Sequence, residues 1–180
     1  FLLGSDYVVE GNVLSGIAGD TLAGAVLWGD LRDAVIQGYK LAVGDDNFEE
    51  LTFILALIGV LLEAGWLNGP IPDPVDVGNA ALASIKASLK RVPKDIRNLF
   101  AQAIRSATKN LSTFFGELKV LADAAKWVGA NTSLAKQVVQ AGGGIAEFKW
   151  LANHQERVRT ILDQGGSARH LVAVANGGKY

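Results

Sequence analysis

The stretch PKDIRNLFAQAIRSATKNLSTFFGELKVLADAAKWV, Pro93–Val128, decides the fold class. Ile96, Leu99, Phe100, Ala103, Ala107, Leu111, Phe114, Leu118, Leu121 and Ala125 recur mostly at steps of three and four, as far as Val128. An α-helix turns once in about 3.6 residues, so this spacing lays an apolar stripe along a helix; a strand face needs a period of two. The stretch predicts one long helix or two collinear ones, with Gly116 as the joint.

The same period extends outward. On the N-terminal side, Leu82, Ile85, Leu89 and Val92 mark one face of a helix that Asp73-Pro74 starts and Pro93 ends or kinks. On the C-terminal side, Asn131-Thr132-Ser133 caps a helix over Leu134–Ala141, and Gly142-Gly143-Gly144 stops it. Ile145, Phe148, Leu151, Val158, Ile161 and Leu162 define a further helix ended by Gly165-Gly166, and Leu171–Ala175 is a short apolar segment. Nearer the start, Gly29-Asp30 breaks the chain before a helix over Leu31–Val43, with Gly44 as its C-cap. Asn47-Phe48-Glu49-Glu50 then has the spacing of an N-cap for Leu51–Leu67, the most apolar run. Asn12–Trp28 is comparably apolar but interrupted by Gly16, Gly19 and Gly24, and Tyr7-Val8-Val9 is the one β-leaning run. The expected fold is all-α: a single helical domain over 1–180, a bundle of seven or eight helices with apolar helices at its centre and amphipathic ones outside.

Composition supports a packed domain. Across 180 residues, 49% are hydrophobic and 19% charged, which excludes a disordered, highly charged tail. Zero Cys removes disulfide scaffolds, thiolate metal sites and cysteine nucleophiles. Zero Met and a start at Phe1 lead to the expectation that the chain is a piece of a longer protein. The net charge of −1 conceals a division. Up to Gly78 there are twelve acids against Arg32 and Lys40, or −10; from Asn79 onward fifteen bases face six acids, or +9. Asn68–Gly78 holds three of the four prolines and sits where the sign changes, so it reads as a linker between an acidic apolar half (1–67) and a basic amphipathic half (79–180).

Little in the chain points to catalysis. The two histidines, His154 and His170, belong to no hydrolase elbow, and His154-Gln155-Glu156 lacks the second histidine of a zinc-binding helix. Gly142–Gly144 precedes a helix, but no Lys-Ser/Thr follows as in a phosphate-binding loop. Asp30/Asp33 and Asp45/Asp46 flank helix starts, where acids are favoured by the macrodipole. No catalytic residue, metal ligand or cofactor site is assigned.

Two features carry a functional expectation. Lys86, Lys90, Arg91, Lys94, Arg97, Arg105 and Lys109 face a single acid, Asp95, over the same span. At about 100° per residue, Lys90, Lys94, Arg97, Arg105 and Lys109 fall on the side away from Ile96, Leu99, Ala103 and Ala107. Such a basic amphipathic helix suits an anionic membrane surface or a protein partner. Phe100, Phe114 and Phe115 lie near the apolar side rather than among the bases, which argues against nucleic-acid stacking. The second feature is the apolar helix with Leu51, Phe53, Ile54, Leu57, Ile58, Leu61 and Leu62, where Glu63 is the one acid in seventeen residues. A helix apolar all round is buried in protein or in lipid. Its acidic flanks oppose insertion at neutral pH and oppose it less once protonated.

Gly29-Asp30-Leu31-Arg32-Asp33, followed by Gly38-Tyr39, Leu41 and Gly44-Asp45, resembles the helical, hydrophobic pre-toxin regions of bacterial polymorphic toxins and related bacterial proteins of unknown role. The match covers roughly residues 12–65. It implies a secreted bacterial effector with a delivery or membrane-associated role, and it transfers no catalytic residues. Apolar helices wrapped by basic amphipathic ones also look like colicin-type pore-forming domains, an analogy of architecture alone. The resulting expectation is a non-enzymatic module that exposes its apolar helices conditionally at membranes. The alternative is a soluble helical adaptor that binds a protein through its long amphipathic helix.

Overall fold

In the computed structural model, the described residues are 32–40, 49–63 and 74–178, and every regular element among them is helical. Helical residues 32–40 (α1) are followed by α2 (Glu50–Glu63), α3 (Pro74–Leu89), α4 (Lys94–Ala107), α5 (Leu111–Ala130), α6 (Thr132–Gln140), α7 (Ile145–Asn153), α8 (Gln155–Asp163) and α9 (Ala168–Ala175). The all-α architecture read from the periodicity is the observed one, with nine helices among the described residues. Two compact units divide the chain, Phe1–Pro70 and Ile71–Tyr180, and the division falls within the proline-rich stretch. The expected Asn12–Trp28 segment and the Gly29–Leu31 and Gly44-Asp45 parts of the motif lie outside the described residues.

In the first unit, α1 and α2 are tied by a polar contact. The backbone N–H of Glu49, at the start of α2, donates to the buried Gln37 side-chain oxygen at 2.8 Å. One helix thus satisfies an orphan donor at the N-terminus of the next. On α2, Leu51, Ile54, Leu55, Ala56, Ile58 and Leu62 are buried.

The second unit is built around α5, which packs along α3 and α7 and also touches α4 and α6. Phe114, Phe115, Leu118, Leu121, Ala122, Ala124, Ala125, Trp127 and Val128 are all buried, so most of the circumference of α5 faces protein. The centre of the core is aromatic: the fully buried Phe148 of α7 stacks on Phe100 of α4 (6.2 Å, 9°) and tilts against Trp127 of α5 (6.2 Å, 37°). Each such pair adds about 0.5–1.5 kcal/mol beyond area burial. α6, α7 and α8 each touch α9. The expected stripe of Leu82, Ile85, Leu89 and Val92 is buried as read, as are Phe148, Leu151, Val158, Ile161 and Leu171.

Three boundaries differ from the sequence expectation. The joint after α4 is Thr108–Asn110, not Gly116, which lies exposed inside α5. Thr108 Oγ1 donates to the Arg105 carbonyl at 2.8 Å, Asn110 is extended (φ −129°, ψ 92°), and Ser112 Oγ donates to Asn110 Oδ1 at 2.7 Å. Short polar side chains here offer the backbone alternatives to the helix, and that outweighs the weak helix propensity of one glycine. The helix expected over Ile145–Leu162 breaks at His154. Its Nδ1 sits 2.8 Å from the Trp150 carbonyl, the acceptor that an uninterrupted helix would offer to the His154 N–H, and the imidazole stacks on Trp150 at 4.4 Å. The His154 N–H turns instead to the Leu151 carbonyl at 3.4 Å. Finally, α6 starts at Thr132, with Asn131 as its N-cap position, whose carbonyl accepts the Ala135 N–H at 2.9 Å; the Asn131 side chain serves α5 instead, its Nδ2 donating to the Trp127 carbonyl at 2.8 Å.

The glycines at 142–144 and 165–166 stop helices as expected, and Gly177-Gly178 ends α9 by the same device. Gly142, Gly165 and Gly177 take φ of 88°, 80° and 82°, after which Gly143, Gly166 and Gly178 N–H groups reach back to the Val138, Ile161 and Ala173 carbonyls at 2.8, 2.8 and 2.7 Å. A different demand acts on Gly129, where a Cβ would stand 2.5 Å from the Ser88 carbonyl oxygen of α3. At Gly116 a Cβ would meet nothing within 4 Å. Gly129→Ala is therefore expected to cost about 1–3 kcal/mol by forcing α3 and α5 apart. Gly116→Ala is expected to gain about 0.5–1 kcal/mol by helix propensity alone. Urea midpoints followed by tryptophan fluorescence check both signs; two shifts in the same direction would contradict this packing.

Candidate functional site

The basic segment spans two helices and two turns. Lys86 lies in the last turn of α3, Lys90 and Arg91 in the turn after it, Lys94 at the start of α4, Arg105 in its last turn, and Lys109 in the joint before α5. All six are exposed. Lys86 and Arg105 sit where a helix C-terminus favours a cation. Lys94 opens a helix, where the macrodipole disfavours positive charge, so helix stability does not account for it.

Arg97 is placed differently. The sequence put it with the outward bases, opposite Ile96, Leu99, Ala103 and Ala107. In the structure α4 buries Ile96, Phe100, Ala101 and Ile104, whereas Leu99, Ala103 and Ala107 are half-buried. At 100° per residue Arg97 falls inside that buried arc, and its Nε is shielded from solvent. The stripe is rotated because Ala101 and Ile104 face the core. Ala103 and Ala107 instead border a cleft of about 340 Å³ beside Glu117 and Lys149, an ion pair at 2.6 Å.

A residue that sequence spacing did not single out joins the basic surface. Lys126 of α5 lines a cleft of about 480 Å³ with Lys90 and Arg91, over Ser88 and Gly129. Lys126 is thirty-five positions from Arg91; only the packing of α3 on α5 brings the two together.

The apolar helix has one open side. Leu51, Ile54, Ile58 and Leu62 are buried, Phe53 and Leu61 half-buried, and Leu57 is 42% exposed. α2 is described over fourteen residues to Glu63, and positions 64–67 of the expected run lie outside the described residues. No helix among the described residues is long and apolar enough to cross a membrane. Val35, Ile36 and Tyr39 of α1 are also exposed large apolar side chains.

The residues weighed for chemistry occupy structural positions. His154 joins α7 to α8, and His170 Nδ1 accepts the Ser167 N–H at 3.0 Å in the first turn of α9. Asp33 pairs with Arg32 at 2.7 Å, while Asp30, Asp45 and Asp46 lie outside the described residues. Glu147 Oε2 accepts the Gly144 N–H at 2.7 Å, so the acid three positions into the helix occupies a donor at its N-terminus. Among the described residues, no three His, Cys, Asp or Glu side chains group closely enough to hold a metal ion.

No family model, characterised protein or solved structure matches the chain. Function therefore rests on the surfaces just described.

The two sides of α2 are separable by mutation. Leu57→Gln is expected to change stability by less than about 0.5 kcal/mol, as for an exposed site, whereas Ile58→Ala is expected to cost about 2–5 kcal/mol. Chemical denaturation of the two variants measures the difference; equal losses would mean that Leu57 is covered.

Proposed function

We propose that the chain is a non-enzymatic helical module of a larger, secreted bacterial protein of the polymorphic-toxin kind, acting at anionic membrane surfaces. The observation that carries the reading is the exposed cluster of Lys86, Lys90, Arg91, Lys94, Arg105 and Lys109, accompanied in its span by the single acid Asp95. Bases near an anionic leaflet contribute about 1 kcal/mol each within a Debye length. The resemblance over residues 12–65 supports the delivery context.

In this reading the first unit supplies apolar surface after contact. α2 has the composition for it, and its fourteen described residues span about 21 Å of helix against a hydrocarbon core of about 30 Å. The expected mode is insertion at the interface, with Leu57 and the half-buried Phe53 and Leu61 leading, not a span formed by α2 alone. Acids flank α2, so lower pH favours the step.

The adaptor alternative has a different surface to use. The apolar faces of α4 and α5 are largely taken up by their own core; the exposed large apolar side chains among the described residues are Val35, Ile36 and Tyr39 of α1 and Leu57 of α2.

Co-sedimentation with anionic and zwitterionic vesicles at pH 7 and pH 5 tests the proposal. Binding to anionic vesicles is expected to fall with added salt, and dye leakage is expected to be greater at pH 5. Replacing Lys90, Lys94 and Lys109 together by Gln is expected to weaken binding by about 3 kcal/mol, close to a hundredfold. Absence of binding at both pH values would refute the membrane role. Loss of partner capture on Tyr39→Ser, without vesicle binding, would favour the adaptor.

A further inference from the structure

The cleft between the end of α3 and the end of α5 has the charge and shape of an anion site. Lys90 and Arg91 enter from the turn after α3 and Lys126 from α5, with Ser88, Ala87, Gly129 and Ala130 completing a space of about 480 Å³. Its floor is backbone against backbone, since a Cβ on Gly129 would stand 2.5 Å from the Ser88 carbonyl oxygen. A small group entering there meets three cations from two separate elements.

Lys90 and Arg91 follow the C-terminus of α3, where the macrodipole favours a cation, but acidic side chains engage these bases little. Lys90 and Arg91 form no ion pair among the described residues. Lys126 has one acidic neighbour, Asp123 Oδ1 at 3.5 Å, with both side chains about half exposed or more (61% and 49%). Helix ends supply negative carbonyls that could occupy such bases, but at the end of α5 those carbonyls are already engaged. The Trp127 carbonyl accepts from Asn131 N and Nδ2 at 2.9 and 2.8 Å, and the Val128 and Gly129 carbonyls each lie 3.3 Å from Thr132 Oγ1. Beyond α3, the Leu89 carbonyl accepts from Val92 N at 3.1 Å.

We infer that the Lys90–Arg91–Lys126 cleft binds a phosphomonoester. Three bases and Asp123 leave a local charge of +2. That complements a phosphomonoester, which carries about −1.5 to −2 near pH 7. Arg91 supplies a planar fork for two phosphate oxygens, and the two lysines act as point charges. The phosphate can come from a lipid headgroup of the phosphatidic acid type or from a soluble phosphomonoester. The membrane reading bears only on that choice of source.

The test uses the whole chain, ¹⁵N-labelled, titrated with glycerol 3-phosphate against sodium chloride at matched ionic strength. Saturable amide shifts are expected at Ser88, Arg91, Gly129 and Ala130. Arg91→Ala and Lys126→Ala are each expected to weaken binding about tenfold. Lys136→Ala, at an exposed base of α6 that does not line the cleft, is expected to leave it unchanged. Dispersed amide spectra establish that each variant is folded. Shifts that never saturate, that chloride reproduces, or that spread evenly over exposed bases would overturn the site. In a second arm, vesicles containing phosphatidic acid are compared with phosphatidylglycerol vesicles at equal surface charge. A preference for phosphatidic acid that Lys126→Ala abolishes supports the site and assigns the source to lipid. Saturable shifts without vesicle binding support it with a soluble ligand and count against the membrane reading alone.

Discussion

The second unit depends on how closely α5 can be approached. At Gly129 the backbone of α5 lies against the Ser88 carbonyl of α3 with no room for a side chain. Further along, its buried positions reach round most of the helix, from Phe114 to Val128. A helix enclosed this way must be met on several sides at once, and α3, α4 and α7 do so. Phe148 makes the consequence concrete. It is fully buried between Phe100 and Trp127, so α7 takes its position only when α4 and α5 are both in place. Interiors packed to crystal-like density tolerate little displacement, and a shift at one of these contacts is felt at the others.

The same contact creates the surface that carries the functional proposals. Lys126 projects from the exposed stripe of α5, and its distance from Lys90 and Arg91 is set by where α3 crosses at Ser88 and Gly129. Had α3 been held off by a side chain at residue 129, the cleft floor would open and the three bases would separate. A core constraint and a surface charge pattern are therefore one geometric fact.

Helical class was legible because a stripe at threes and fours needs only local geometry. The glycine stops were legible for the same reason: a positive φ and a back-reaching N–H involve a few consecutive residues. Breaks made by side chains were harder to see. At His154 an imidazole takes the carbonyl its own backbone would have used, and histidine is not a strong punctuator like Gly or Pro. The cap at Asn131 was legible, but not that its side-chain amide serves the helix before it. The central role of α5 was also hidden. Ala125 fell on the expected stripe; Ala122 and Ala124 lay outside it beside Lys119, Asp123 and Lys126, yet all three alanines are buried and their small size lets neighbouring helices close in. In the candidate site, the run of bases from Lys86 to Lys109 was plain in one dimension. The inward turn of Arg97 depended on which face of α4 the other helices covered, and the recruitment of Lys126 depended on a contact far apart in sequence.

The cancellation of charge bears on how contact with an anionic surface would begin. With a net charge of −1, the chain as a whole feels almost no long-range pull toward negative lipid, because fields beyond about 8–10 Å are screened at physiological salt. Attraction must then come from local charge at contact range. The exposed bases of α3 and α4 supply it, while the acids concentrated before Gly78 contribute charge of the opposing sign. In the proposed membrane role, encounters that present Lys90, Lys94 and Lys109 gain free energy. Protonating carboxylates removes the opposition without weakening the lysines and arginines. In the proposed membrane role, the opposite charges of the two halves make contact favoured by acid, which a uniformly basic protein would not achieve.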